Sequence, residues 1–306
     1  MDFEKLLKPM QKSSIRIAKS AIGECPVGSS KIGGKPDLPA DFHWYYYQGK
    51  SYEETMADYP PGAHAYFNRE DAKYNAALPL SFLAQINCEE VHEYDTDGLL
   101  PSKGMLYFFY EAANMTWGFD PNDKGSAKVY FHPEISPELH RTDFPPDLSE
   151  EYQLPEMPIT FSAAKELPAF EEFTEWHDEE LEHGDWQRYD ETKVEMGFDS
   201  ELEGNATEGM IAKLLGYANL IQNGMLLSCE QVTNGIYCGD PVEIPEDRLC
   251  LHKENAKNWQ LLFQLDSIRT DTFEMLWGDV GRIYFYIRIE DLKNMNFDNC
   301  WLLLQC

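Results

Sequence analysis

Six side chains have the type and spacing to hold a polar ligand. Gln85 and Asn87 end the run Phe82-Leu-Ala-Gln-Ile-Asn87, and Gln264 and Asp266 end the run Leu261-Leu-Phe-Gln-Leu-Asp266. Trp277 and Asp279 flank a glycine in Trp277-Gly-Asp-Val-Gly281. An amide both donates and accepts, a carboxylate accepts, and an indole offers a flat apolar face with one donor. Residues two apart on a strand point to the same side, so each Gln-x-Asn or Gln-x-Asp pair acts together. That chemistry is recognition: if the chain gathers the six, they line one ligand pocket. The plainer reading is structural. A buried amide left unpaired costs about 1–3 kcal/mol, so each Gln would satisfy a neighbouring loop, such as the Gly33-Gly34 segment. Trp277-Gly-Asp would then be a tight turn before a strand, with Trp277 in the core. The structural reading outweighs the functional one for all three sets.

Bond-making chemistry has no comparable signal. The chain contains no Gly-x-Ser-x-Gly elbow, no His-Glu-x-x-His, no phosphate-binding glycine loop and no calcium-loop spacing. His177, Glu180 and His183 would share a face if helical, yet acids surround them and a solvated face explains them better than zinc. His43, His64, His92, His132, His140 and His252 have no nucleophile beside them in sequence. Trp44 and Tyr45-Tyr-Tyr47 lack basic neighbours, so they point to a packed edge or a carbohydrate-like contact and not to base stacking. No catalytic residue, cofactor or metal is therefore expected, and an enzyme is the less favoured class.

The elements that must position these residues come in two sets. Each Gln-bearing run is followed by a glycine that opens an aromatic run, Gly104-Met-Leu-Tyr-Phe-Phe-Tyr110 and Gly281-Arg-Ile-Tyr-Phe-Tyr-Ile287. Upstream lie Ile32-Gly33-Gly34 and Leu215-Gly216-Tyr217, which pairs Gly33 with Gly216. Three landmarks in one order imply an internal duplication, with halves at about 28–131 and 205–306. Residues 80–87, 104–110, 127–131, 259–266, 282–289 and 301–305 read as strands, and 14–19 as another. Residues 2–12 predict a short helix limited by Pro9, and 290–293 a helical turn. Residues 28–39 and 140–158 read as loops, and 48–75 as a polar insertion. An acidic amphipathic helix is expected over 163–183, broken near Pro168. Asn205-Ala-Thr-Glu208 reads as a capping box opening a helix over 210–215, with Gly216 as its stop.

Charge and composition narrow the class. Among 306 residues, 54 acids against 25 bases leave a net charge of −29. Such a chain repels phosphate backbones, so nucleic acid is excluded as a general partner. A basic protein partner would be attracted. Residues 147–203 hold 19 acids and three bases, an acidic connector between the halves. No apolar run reaches membrane-spanning length and the start does not read as a secretory signal. Seven cysteines at irregular spacing read as reduced, mostly buried thiols of a cytoplasmic protein.

Several motifs resemble one family. Ser30-Lys-Ile-Gly-Gly-Lys-Pro-Asp-Leu-Pro39, Pro79-Leu-Ser-Phe-Leu-Ala-Gln-Ile-Asn87, Leu214-Leu-Gly-Tyr217, Trp259-Gln-Leu-Leu-Phe-Gln-Leu-Asp-Ser267, Trp277-Gly-Asp-Val-Gly281 and Asn296-Phe-Asp-Asn299 look like the YwqG-like proteins, a bacterial domain-of-unknown-function family. The resemblance runs in order from about residue 14 to the last. It implies an α+β protein of the cytoplasm and brings no catalytic residues. Extra material near 45–75 and 170–195, and Ala218 in place of a proline, depart from the pattern.

The expected fold is therefore α+β, a single YwqG-like domain over 1–306 made of two related, mainly antiparallel β-rich halves with peripheral helices. The expected function is that of a non-enzymatic binding or interaction protein, with neutralisation of a basic partner as its specific form. The alternative is a small-ligand-binding protein or enzyme whose pocket, between the halves, is lined by Gln85, Asn87, Gln264, Asp266, Trp277 and Asp279. Oligomeric state is not legible.

Overall fold

The computed structural model describes residues 1–20, 25–58, 62, 64, 68–135, 139–177, 181–198, 209–239 and 243–306. Ten strands form one antiparallel sheet: β1 (Lys12–Lys19), β2 (Lys31–Ile32), β3 (Ser81–Asn87), β4 (Met105–Tyr110), β5 (Ala127–His132), β6 (Met157–Glu166), β7 (Met210–Leu215), β8 (Trp259–Asp266), β9 (Arg282–Arg288) and β10 (Trp301–Gln305). Their order is β10-β9-β8-β7-β1-β6-β2-β3-β4-β5. Six helices matter here: α1 (Phe3–Leu7), α2 (Phe170–His177), α3 (Asp185–Glu195), α4 (Leu226–Thr233), α5 (Glu246–Ala256) and α6 (Ile289–Lys293).

The sheet curls until it is nearly a barrel. Phe108 of β4 stacks on Phe263 of β8 at 4.3 Å and meets Phe285 of β9 at 5.3 Å, although these strands lie far apart in the sheet order. Leu83, Ile86, Leu106, Leu262, Ile283 and Leu304 fill the same interior. The outer face is covered differently on each side. Helices α4 and α5 pack near Trp259, Tyr284 and Tyr286. Leu38, in a short strand over 37–39, and the following Phe42, Trp44 and Tyr45 cover Met105, Tyr107 and Phe109. Helices α1, α2 and α3 share a third cluster around Phe3, Phe173 and Tyr189.

A seam joins the two ends of the sheet. The Leu304 N–H donates to Trp117 O at 3.0 Å and the Trp301 indole donates to Gly118 O at 2.7 Å. Gly118 has φ of +81°, and a Cβ there would overlap the Leu302 carbonyl. Only glycine accepts both that backbone conformation and that approach.

Three expectations are corrected. Residues 210–215 form β7 and not a helix. Met210, Ile211, Leu214 and Leu215 have helical spacing, but the segment is six residues long and is paired on both sides, to β1 and β8. Short apolar runs are ambiguous by periodicity, and neighbours decide. The capping box at 205–208 lies outside the described residues. The acidic segment contains β6, a ten-residue central strand, so residues 163–166 pair with β1 and the helix begins only at Phe170. Strands also enter the expected loops at 31–32, 37–39 and 139–141. All seven cysteines are free, and three of them, Cys25, Cys88 and Cys229, are buried.

Candidate functional site

Two polar nodes stand on the outer face of the sheet. In the first, Lys31 of β2 donates to Glu156 Oε2 at 2.7 Å and to Lys35 O at 2.5 Å. Opposite Lys31 on β3 is Gln85, whose Oε1 accepts from Asp37 N at 2.8 Å. Its Nε2 donates to Asp37 Oδ2 at 2.6 Å and to Ser29 O at 2.7 Å. The Tyr107 hydroxyl donates to Asp37 O. Arg141 closes the node, donating to Asp37 Oδ1 at 2.6 Å, Glu156 Oε2 at 2.9 Å and Cys25 O at 2.6 Å.

The second node repeats these bonds with different residues. Lys213 of β7 donates to Glu166 Oε2 at 3.0 Å and to Tyr217 O, again four residues on. Gln264 stands opposite it on β8 and accepts from Asn219 N at 2.9 Å, again six residues beyond the lysine. Tyr284 donates to Asn219 O at 2.7 Å. Left-handed backbone follows each lysine two and three residues on, at Gly33 and Gly34 and at Leu215 and Gly216. A Cβ at Gly34 would overlap Glu156, and one at Gly216 would overlap Glu166. The geometry thus equates Gly216 with Gly34, one place along from the pairing expected from sequence. Both Gln-bearing strands carry a bulge at matching positions, Phe82/Ala84 and Leu261/Phe263. Burial lowers the pKa of Lys213, with Glu166 opposing the shift.

The six residues singled out from sequence fall into these nodes and the turn beyond. Gln85 and Gln264 are wholly buried, each in its own node. Asn87 donates to Gly28 O at 2.9 Å and caps the short helix Cys88–Val91 by accepting from Glu89 N. Asp266 accepts from Arg282 at 2.9 Å and from Gln264 at 3.2 Å. Burial raises its pKa, with Arg282 opposing. Trp277 lies in the interior and donates to Asp266 O at 3.1 Å, while Asp279 is exposed. The structure brings Gln264, Asp266 and Trp277 together and leaves Gln85 and Asn87 in the other node. His177 ends α2 and stacks on Phe173 at 4.4 Å, whereas His183 stands in the turn before α3; Glu180 lies outside the described residues. Among the described residues no group of three or more His, Cys, Asp or Glu side chains could hold a metal ion.

A cleft of about 610 Å³ opens elsewhere, between the segment after β4 and the loops that flank α4. None of the six lines it. Its floor is the segment after β4, residues 114–123, with Gln222 to Gly224 and Tyr237 to Gly239 across from it. The floor is braced from below. The buried Glu111 carboxylate accepts from Asn114 N and Thr116 Oγ, both at 2.8 Å. Asp123 Oδ2 accepts from Gly118 N at 3.0 Å and Asp120 N at 3.3 Å. Cys238 N donates to Phe119 O at 2.8 Å, and the seam to β10 fixes Trp117 and Gly118. Burial lifts the Asp123 carboxyl to about 6 and the Cys238 thiol to about 11. On this floor Trp117 stays 45% exposed and across it Tyr237 is 44% exposed. A sequence signal for this site exists: Trp117-Gly118 is the first of the chain's two Trp-Gly pairs. Only the environment tells the exposed tryptophan from the buried Trp277.

Taken together, these features define an α+β protein built on one large, nearly closed antiparallel sheet, with a ligand-sized cleft at the closure. Residues 30–306 match the family described as "Domain of unknown function (DUF1963)", so the chain belongs to that family. No curated protein matches it. No helix among the described residues is long and apolar enough to cross a membrane.

Proposed function

We propose that this is a non-enzymatic binding protein of the YwqG-like type, acting in the cytoplasm, whose two halves arose by duplication and whose ligand sits in the cleft between them. The observation that carries it is Trp117, an exposed indole on a floor braced by Glu111, Asp123 and β10. An apolar ring held at the solvent boundary by satisfied polar groups is pre-organised for contact, which limits the entropy lost on binding. The volume falls within the range of small-molecule sites, about 300–1,000 Å³. Binding without chemistry is favoured because the polar groups of the floor are engaged in holding backbone. The duplication is supported by the paired contacts of Lys31, Gln85 and Tyr107 with those of Lys213, Gln264 and Tyr284.

A thermal-shift screen of small metabolites tests this reading. A ligand at a hundredfold excess over its Kd adds about 2.7 kcal/mol of stability. The expected result is a stabilising compound whose effect disappears in Trp117→Ala. Stabilisation that survives this substitution unchanged moves the ligand out of the cleft. A second reading, capture of a basic protein, is favoured by the net charge of −29 and the acidic stretch 147–203. It requires a partner released by high salt.

A further inference from the structure

We infer that the cleft selects a saccharide, an uncharged, hydroxyl-rich ligand of more than one ring; this rests on the cleft being the binding site. Three features converge. First, two aromatic side chains line the cleft and stay partly solvent-accessible, Trp117 at 45% and Tyr237 at 44%. A flat aromatic face packs against the C–H face of a sugar ring while hydroxyls at the ring edge stay free for hydrogen bonds. Second, the edge partners are planar polar groups that both donate and accept, including Asn114, Gln222 and Asn223. Third, the walls are balanced in charge within a strongly acidic protein. Lys50 and Lys73 stand against Asp120 and Asp123, and Lys50 lies 3.5 Å from Asp120. A phosphorylated ligand would find no cluster of bases and would meet the field of the whole chain. A cationic one would find both lysines in its path. A neutral ligand avoids both penalties.

Length follows from the neighbouring depression. A second hollow of about 310 Å³ shares Lys73 with the cleft and continues past Leu148 and Tyr152. Two hollows with a common wall suit a linear oligomer better than a single ring.

The test is a glycan array spanning plant, microbial and animal glycans, followed by titration calorimetry with the best uncharged oligosaccharide found. The wild type should retain at least one uncharged oligosaccharide. Trp117→Ala and Tyr237→Ala, both at exposed side chains, should each weaken it by about tenfold or more. Affinity should change less than about twofold between low and high salt, because no ion pair forms. The inference is overturned by an array with no retained glycan, by retention of charged glycans alone, or by binding that survives both substitutions. Should no glycan bind while a non-sugar compound stabilises the wild type and not Trp117→Ala, the cleft reading stands and the saccharide class falls. Should nothing bind in either experiment, both fall.

Discussion

The Glu175 carboxyl lies directly behind Gly224, where any Cβ would overlap it, and accepts from Leu227 N at 3.3 Å. Burial, with the nearby Glu172 charge, lifts its pKa to about 8. A carboxyl whose folded pKa is raised stabilises the fold fully below its unfolded value, near 4.5, and loses that contribution as pH rises through 8. Glu175→Gln should therefore match the wild type at pH 4 and exceed it by about 2–4 kcal/mol at pH 8.5, read from urea denaturation at the two pH values. Equal stability at both would mean that the carboxyl is solvated. The two lysines behave differently for a reason of the same kind. Glu166 is 12% exposed and, when Lys213 is lost, keeps only a long contact to Arg16 at 3.9 Å and the Tyr217 N–H at 3.2 Å, whereas Glu156 is about a third exposed and keeps Arg141 at 2.9 Å when Lys31 is lost. Lys213→Met should cost about 3–5 kcal/mol, since it leaves a nearly buried carboxylate with only a long ion pair to Arg16 and one backbone donor. Lys31→Met should cost clearly less, and chemical denaturation of the two variants compares them directly.

Among the elements, the seam carries the sharpest expectation. Gly118→Ala imposes a strained φ and a backbone overlap with Leu302, together worth about 2–4 kcal/mol. Gly98→Ala has a similar φ of +62° but open space around it, so it should cost only the strain, about 1–2 kcal/mol. Urea midpoints separate the two. The elements also show what could be read in the chain. Strands β3, β4, β5, β8, β9 and β10 were legible because their apolar and aromatic runs match strand length and are bounded by turns. Strand β6 was not, because Thr160-Phe-Ser-Ala-Ala-Lys-Glu166 is polar enough to look like a surface helix. Its strand state is imposed by pairing with β1, from Lys12↔Glu166 to Lys19↔Ile159. Strand β7 failed for the opposite reason, since its four apolar residues satisfy a helical period as well as a buried strand. The polar nodes were visible as matched glutamines that each satisfy a neighbouring loop, although Gln85 bonds Asp37 and Ser29 and not the Gly33-Gly34 segment named for it. The cleft was hidden because its walls come from segments tens to hundreds of residues apart, from Tyr47 to Gln305, which local pattern does not bring together.

At the scale of the whole molecule, charge and topology dominate. A net charge of −29 repels itself, and the Debye length falls to roughly 3 Å at 1 M salt. The thermal midpoint should rise by several degrees between 20 mM and 500 mM sodium chloride, measured by calorimetry. An unchanged or falling midpoint would show that local ion pairs outweigh the global repulsion. Topology adds a constraint of its own. Strand β1 lies between β6 and β7 and pairs with both, although it precedes both in sequence by more than a hundred residues. The strands on either side of it, β10 to β7 and β6 to β5, meet through this N-terminal strand. Recombination that exchanged the C-terminal strands β7 to β10 between relatives would have to carry residues 12–19 along, or match them to a foreign edge. A C-terminal cassette cut after residue 209 would arrive without its keystone, the edge of β1 that β7 pairs with.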